Sequence, residues 1–302
     1  MGKNLSGIVL GLVAAVGVSS MAVADSNLTI RGGYGGSLTD YQYARKESTG
    51  KKLESNYGDG LFGQVVLSDD DMFGIVGGEI SMSYNRLSGD DKTYDAGSCD
   101  VIDVISLSHD SCMRGAQTSN TTQIGQFRVL ASRTHSGTGA QLLGGLGVLG
   151  VSSSVQGDMI YGTEDSAIGR SNYFSGMGLV LGGKKAYQIS NKATLQLEGF
   201  AGVYSGNRDL KINDYYEGDT GSLVKQDRQT VYSLDLAASV AMPVESIASG
   251  SMFEVGIAYT RLFNVIDETN YNDYIVENYG FKGSADEDVD ALSLFFGLKI
   301  PL

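Results

Sequence analysis

Residues 77–85 read GGEISMSYN. Gly78, Ile80, Met82 and Tyr84 are small or apolar, and Glu79, Ser81, Ser83 and Asn85 between them are polar. Alternation with period two puts the two sets on opposite faces of one strand, one wet and one greasy. Taken alone, it fits the core of a soluble sandwich as well as the wall of a barrel in lipid. The surrounding chain decides between them.

Towards the N-terminus, residues 1–24 read MGKNLSGIVLGLVAAVGVSSMAVA. One early cation (Lys3), an uncharged apolar run over 8–18 and Ala22-Val23-Ala24 before Asp25 have the layout of a secretory signal peptide. The expected division is therefore a signal peptide over 1–24 and one barrel domain over 25–302. After Asp25 no apolar run approaches the length of a spanning helix, so any membrane span there is built from strands. The formal charge of −13 argues against a nucleic-acid partner. Only 2 prolines suit long unbroken strands, and 42 glycines suit a tightly curved wall whose interior must accommodate side chains.

Period-two alternation recurs over 28–38, 61–68, 73–86, 123–133, 141–151, 173–187, 194–205, 230–242, 252–263 and 289–300. These are ten strands, each near the roughly 9–11 residues that cross a bilayer at a tilt. The segments between them alternate in length. Long ones (39–60, 87–122, 152–172, 206–229 and 264–288) are separated by short ones such as DDDM, THSGTGA and 188–193. A soluble sandwich has no reason to gather its long loops at one end, whereas an outer-membrane barrel does. The expected fold is all-β, a transmembrane antiparallel up-and-down barrel of about ten strands.

Within the strands, charges fall on the polar face. Arg31, Glu79, Arg128, Lys184, Glu198, Asp235 and Glu254 share inward parity. Two arrangements follow from that: they pair and fill a narrow lumen, or they line a water-filled pore and set its ion preference. Tyr34, Tyr84, Tyr232, Tyr259 and Phe263 stand towards strand ends, where aromatic girdles belong.

Cys99 and Cys112 bracket CDVIDVISLSHDSC in the second long segment, and in an exported chain such a pair is expected to form a disulfide. His109 between them has no second His nearby for zinc. GLGVLG at 145–150 matches a dinucleotide fingerprint in letters, but no helical period follows to receive phosphates. The acidic runs DETNYNDY (267–274) and SADEDVD (284–290) lack the glycine of a calcium-binding helix–loop–helix. A rim hydrolase would need His beside carboxylates or Ser, and only His109 and His135 exist. The expectation is no enzyme, no metal and no cofactor.

Three stretches carry a resemblance: YFSGMGLVLGGKKAYQISNKATLQLEGFAGVYSG (173–206), FEVGIAYTRLFNVIDETNYND (253–273) and LSLFFGLKI (292–300). They resemble the pore-forming major outer membrane proteins of the Legionella type. The resemblance implies a porin-like passive channel for ions or small solutes in the bacterial outer membrane. The alternative is a non-conducting structural or adhesive surface barrel. Implied partners are outer-membrane lipid, lipopolysaccharide and the barrel-assembly machinery, with homo-oligomers compatible. Barrels of this class usually end in an aromatic residue read during assembly. Here Phe296 is expected to serve, since Ile300-Pro301-Leu302 follows.

Overall fold

The computed structural model describes residues 26–302 apart from 39, 46–51, 57, 73, 75, 90–112, 162–163, 217–218, 245, 268, 271–272 and 274–287. The expected signal peptide, the Cys99–Cys112 pair and His109 lie outside the described residues. Among the described residues twelve strands follow in chain order: β1 (Asn27–Gly36), β2 (Asp40–Arg45), β3 (Lys52–Asn56), β4 (Asp59–Asp69), β5 (Gly77–Gly89) and β6 (Met113–Thr134). Then come β7 (Gln141–Tyr161), β8 (Glu164–Ser190), β9 (Ala193–Tyr216), β10 (Asp219–Pro243), β11 (Met252–Phe263) and β12 (Val289–Pro301).

Ten of these close an antiparallel barrel in the ring order β1-β12-β11-β10-β9-β8-β7-β6-β5-β4, and β2 with β3 forms a separate hairpin. Closure is made by β1, which pairs with β12 on one side (Ile30↔Leu298) and β4 on the other (Ile30↔Val65). No barrel edge is left open at that level, which removes the unpaired backbone groups that lipid cannot satisfy.

At one end every connection between barrel strands is short (70–76, 135–140, 191–192 and 244–251). At the other end two-residue links after β7 and β9 alternate with the long segments 37–58, 90–112 and 264–288. Asn191-Lys192 alone joins β8 to β9. The turn after β6 closes with His135 N donating to Ala140 O at 2.8 Å, and Gly139 takes φ +66° there. The turn before β11 closes with Val244 N donating to Ser251 O at 2.8 Å. Ser26, ahead of β1, meets the C-terminal residue at the short-turn end as well, with Leu302 N donating to Ser26 O at 2.9 Å. Ser26 in turn donates to Asp69 at the foot of β4.

Alternation sorts the faces as the sequence suggests, except that two cations inside expected strands, Arg133 and Lys185, stand at outward parity near the short-turn rim. On β5, Glu79, Ser81 and Asn85 are buried inside, while Ile80, Met82 and Tyr84 point outward and remain partly exposed. The outer wall carries a belt of exposed apolar residues, including Met177 at 71%, Leu179 at 66% and Leu181 at 69% on β8 alone. Ile30, Leu61, Leu146, Ile257, Leu294 and Phe296 continue it around the ring. A belt this extensive on a water-exposed surface would be an aggregation site; against lipid it is the stable arrangement.

The interior is packed by pairing aromatics with glycines. Tyr204 is fully buried in space left by Gly202, where an added Cβ would stand 2.5 Å from its ring. Phe174 similarly occupies the space at Gly176, and Phe295 that at Gly256, each 2.7 Å from such a Cβ. At these positions glycine makes room for the large side chains that fill the lumen.

Two expected loops are strand instead. Residues 152–172 and 206–229 continue β7–β8 and β9–β10, and β6 begins at Met113 rather than near 123. The expected first loop, 39–60, holds the β2–β3 hairpin. The cause is physical. Above the apolar belt both faces of a strand meet polar surroundings, so the alternation that marks a strand in lipid fades while the hydrogen-bond ladder continues. As a result β6–β10 stand higher than their neighbours. Among the described residues β5 follows β6 as far as Gly89↔Asn120, and β11 follows β10 as far as Tyr232↔Phe263.

Candidate functional site

The seven charged residues that the sequence places at inward parity converge in one layer across the lumen. Arg31 on β1 donates to Glu198 on β9 at 2.5 Å and to Glu254 on β11 at 2.9 Å. Its remaining terminal nitrogen reaches Gln64 on β4 at 3.0 Å. Lys184 on β8 pairs with Glu79 on β5 and lies 3.5 Å from Glu198. Arg128 on β6 pairs with Asp235 on β10, which also accepts from Thr260 at 2.8 Å and from Gln126 at 3.3 Å.

Ring order shows how far these bonds reach. In a ring of ten, opposite strands are five steps apart. Arg31–Glu198 and Arg128–Asp235 each span four steps, and Lys184–Glu79 spans three. The pairs therefore cross the lumen instead of running along its wall. Three cations meet four carboxylates, so the layer is nearly neutral.

Aromatic rings cover the layer. The Arg31 guanidinium lies 5.0 Å from the Phe295 ring centre, and Phe295 packs on Phe62 at 5.9 Å. Arg128 and Lys184 both lie over Phe200, at 5.1 and 5.8 Å. Arg31, Glu79, Arg128 and Glu254 are each about 5% exposed or less. Cations over ring faces with their charges paired are stable out of water, whereas either partner alone is not.

A second closure sits nearer the tall end. After β11 the chain turns at Asn264, which takes φ +63°, and Val265, Ile266 and Asp267 are buried against the inner wall. Asn172 on β8 donates to Val265 O at 2.8 Å and accepts from Asp267 N at 3.2 Å. Arg208 on β9 donates to Ile266 O at 3.2 Å, lies 3.4 Å from Asp267 and is held by Asp227 at 2.8 Å. Chain from the β11 side thus crosses to β8 and β9.

The parity of Arg31, Glu79, Arg128, Glu198, Asp235 and Glu254 was readable from sequence. Which of them pair was not, because parity fixes a face but gives no register between distant strands. Phe200, Asn172, Arg208 and Asp267 were missed as participants. Phe200 carries no signal beyond an aromatic side chain two residues after Glu198, and Asn172, Arg208 and Asp267 lie in segments expected to be loops. His135 lies exposed in a turn, its ring nitrogen 3.2 Å from the Thr138 hydroxyl. GLGVLG lies inside β7, with no helix after it.

No family model matches the chain, and no curated protein matches it in sequence. Solved structures similar to it are outer-membrane β-barrels. The outer membrane protease OmpT of Escherichia coli is 13% identical over 95% of this chain and 99% of its own, with a TM-score of 0.47. A major outer membrane protein of Thermus thermophilus is 11% identical over 92% of this chain and 99% of its own, at 0.33. The transport unit of the autotransporter AIDA-I of Escherichia coli is 9% identical over 98% of each chain, at 0.32. No Legionella-type family is among these findings.

Proposed function

We propose that this chain is a bacterial outer-membrane barrel with a sealed lumen, acting through the wall it raises at the cell surface. The observation that carries this is the charged layer, whose Arg31–Glu198 and Arg128–Asp235 pairs cross the lumen beneath a cover of Phe200 and Phe295. An ion entering this layer would have to separate buried pairs, and breaking one leaves an uncompensated charge costing about 3–5 kcal/mol. The membrane placement is supported by the exposed apolar belt and by one rim at which every connection is short, set against the long segments 37–58, 90–112 and 264–288 at the other. In this placement the turns face the periplasm, while the tall strands β6–β10 face outward, towards lipopolysaccharide. Insertion then falls to the barrel-assembly machinery.

The kinship that the C-terminal half suggests with Legionella-type major outer membrane proteins implies a porin-like pore. In our proposal what is shared is the barrel, while the pore is filled. A catalytic role has no support from the lumen, where every carboxylate of the layer is engaged by a cation. We therefore take the chain to be a structural or adhesive surface barrel, not an enzyme.

Planar-bilayer recording of the refolded chain tests this. Heat-modifiable gel mobility first establishes that it has inserted. Inserted protein is expected to give no discrete conductance steps. Steps of uniform size from wild type would overturn the proposal in favour of a passive channel.

A further inference from the structure

A groove of about 320 Å³ opens on the outer wall near the short-turn rim, lined by Leu142, Gly183, Lys185, Leu197 and Gly199, with Lys184 and Glu198, which pair with each other at inward parity, between them. Its floor is a cross-strand glycine pair, Gly183↔Gly199, flanked in register by Leu142 on β7 and Leu236 on β10. The flanking leucines are 60% and 46% exposed, so they stand out from the wall on either side of the dent. The floor is open outward. An added Cβ at Gly183 would meet nothing nearer than Gln141 O at 3.2 Å, and one at Gly199 nothing nearer than Leu236 at 3.4 Å.

Two cations mark the turn-side end of this groove. Lys185 lies one outward position below Gly183, its ammonium 4.7 Å from the Tyr187 ring centre. Arg133, exposed, pairs in register with Leu142 one residue before the end of β6. The outward residues around them are Val129 and Ala131 on β6, Gly144 and Leu146 on β7, and Leu181 and Ile189 on β8. Leu195 and Ala201 follow on β9, then Leu234 and Ala238 on β10. None is acidic. Among the described residues neither Arg133 nor Lys185 has an ion-pair partner. Two cations outside any ion pair, on a wall otherwise built for lipid, suit an anion supplied by the lipid itself.

We propose that this groove binds one anionic phospholipid of the periplasmic leaflet. Its acyl chain lies along the Gly183–Gly199 floor between Leu142 and Leu236, and its phosphate sits between Lys185 and Arg133. This rests on the membrane placement proposed above, but not on whether the lumen conducts.

The full chain is inserted into vesicles of equimolar phosphatidylcholine and phosphatidylglycerol with matched acyl chains. Heat-modifiable mobility reports insertion, and lipid retained on release is counted by native mass spectrometry. Phosphatidylglycerol is expected to exceed phosphatidylcholine by about fivefold or more. The double variant R133Q/K185Q should insert normally and bring that ratio close to unity. G199L, which fills the floor, should lower retention of both lipids. Equal retention by inserted wild type, or an unchanged preference in inserted R133Q/K185Q, would overturn the inference. Failure of wild type to insert would instead count against the membrane placement.

Discussion

β1, β4, β5, β11 and β12 run 10–13 residues, while their five companions β6–β10 run 21–27. At about 3.3 Å per residue the short strands measure roughly 33–43 Å. That suffices to cross a tilted apolar band about 25 Å tall and little more. The long strands measure roughly 70–90 Å and must leave it. The two halves are therefore under different constraints. In the short half nearly every outward position answers to lipid. In the tall half only the lower part does, and the upper part is a sheet standing in water. The charged layer joins the halves: Arg31 and Glu79 belong to the short one, and their partners Glu198 and Lys184 to the tall one.

The largest effect is expected where the halves are tied together. Arg31→Met removes the cation that faces both Glu198 and Glu254, leaving two buried carboxylates short of a partner. A loss of about 3–5 kcal/mol is expected in urea unfolding from vesicles. The triple variant R31M/E198Q/E254Q removes the charges together and should recover most of that loss. If the single variant costs less than about 1 kcal/mol, or the triple costs as much as the single, the layer does not tie the halves together.

The same division explains what could be read in the sequence. The ten barrel strands and their faces were legible because lipid imposes apolar residues at alternate positions, as in Ile80, Met82 and Tyr84. Glu79 could be placed inside for the same reason. The outer parts of β7–β10 were not legible, since water imposes no such pattern on residues like Ser154, Ser171, Asn213 and Lys211. The Val265–Asp267 closure was hidden too. Its partners Asn172 and Arg208 are polar residues in polar stretches, and only the fold brings them to it. Register across the lumen has no local signal at all, which is why Arg31 could be placed inward but not opposite Glu198.

Next in size is a test inside the belt. Leu179 on β8 points outward, 66% exposed, roughly midway between Tyr173 and Tyr187 on the same face. Leu179→Lys should cost about 2–4 kcal/mol of folding free energy measured in vesicles, the penalty for a cation near the bilayer midplane. In a micelle, which deforms around the charge, the loss should be smaller. A Leu179→Lys chain as stable in vesicles as wild type would remove the belt from lipid and with it the membrane placement.

The smallest effect is expected from a substitution that looks almost the same. Val224 on β10 also points outward, 60% exposed, but eight residues above Tyr232 along the strand. By area exposed it is nearly the equal of Leu179, so a count of surface hydrophobics would treat the two alike. Height separates them. Val224 pairs in register with Lys211, an exposed cation, which lipid would not tolerate there. Val224→Lys should therefore cost at most about 1 kcal/mol, even with Lys211 opposite adding like-charge repulsion. Raising the salt concentration should shrink that small cost further, because the two ammonium groups are solvated and screened. The penalty at Leu179, which comes from lipid and not from a neighbouring charge, should not respond to salt. Equal costs at the two sites would mean that the belt continues up the tall wall and that the upper sheet is not in water.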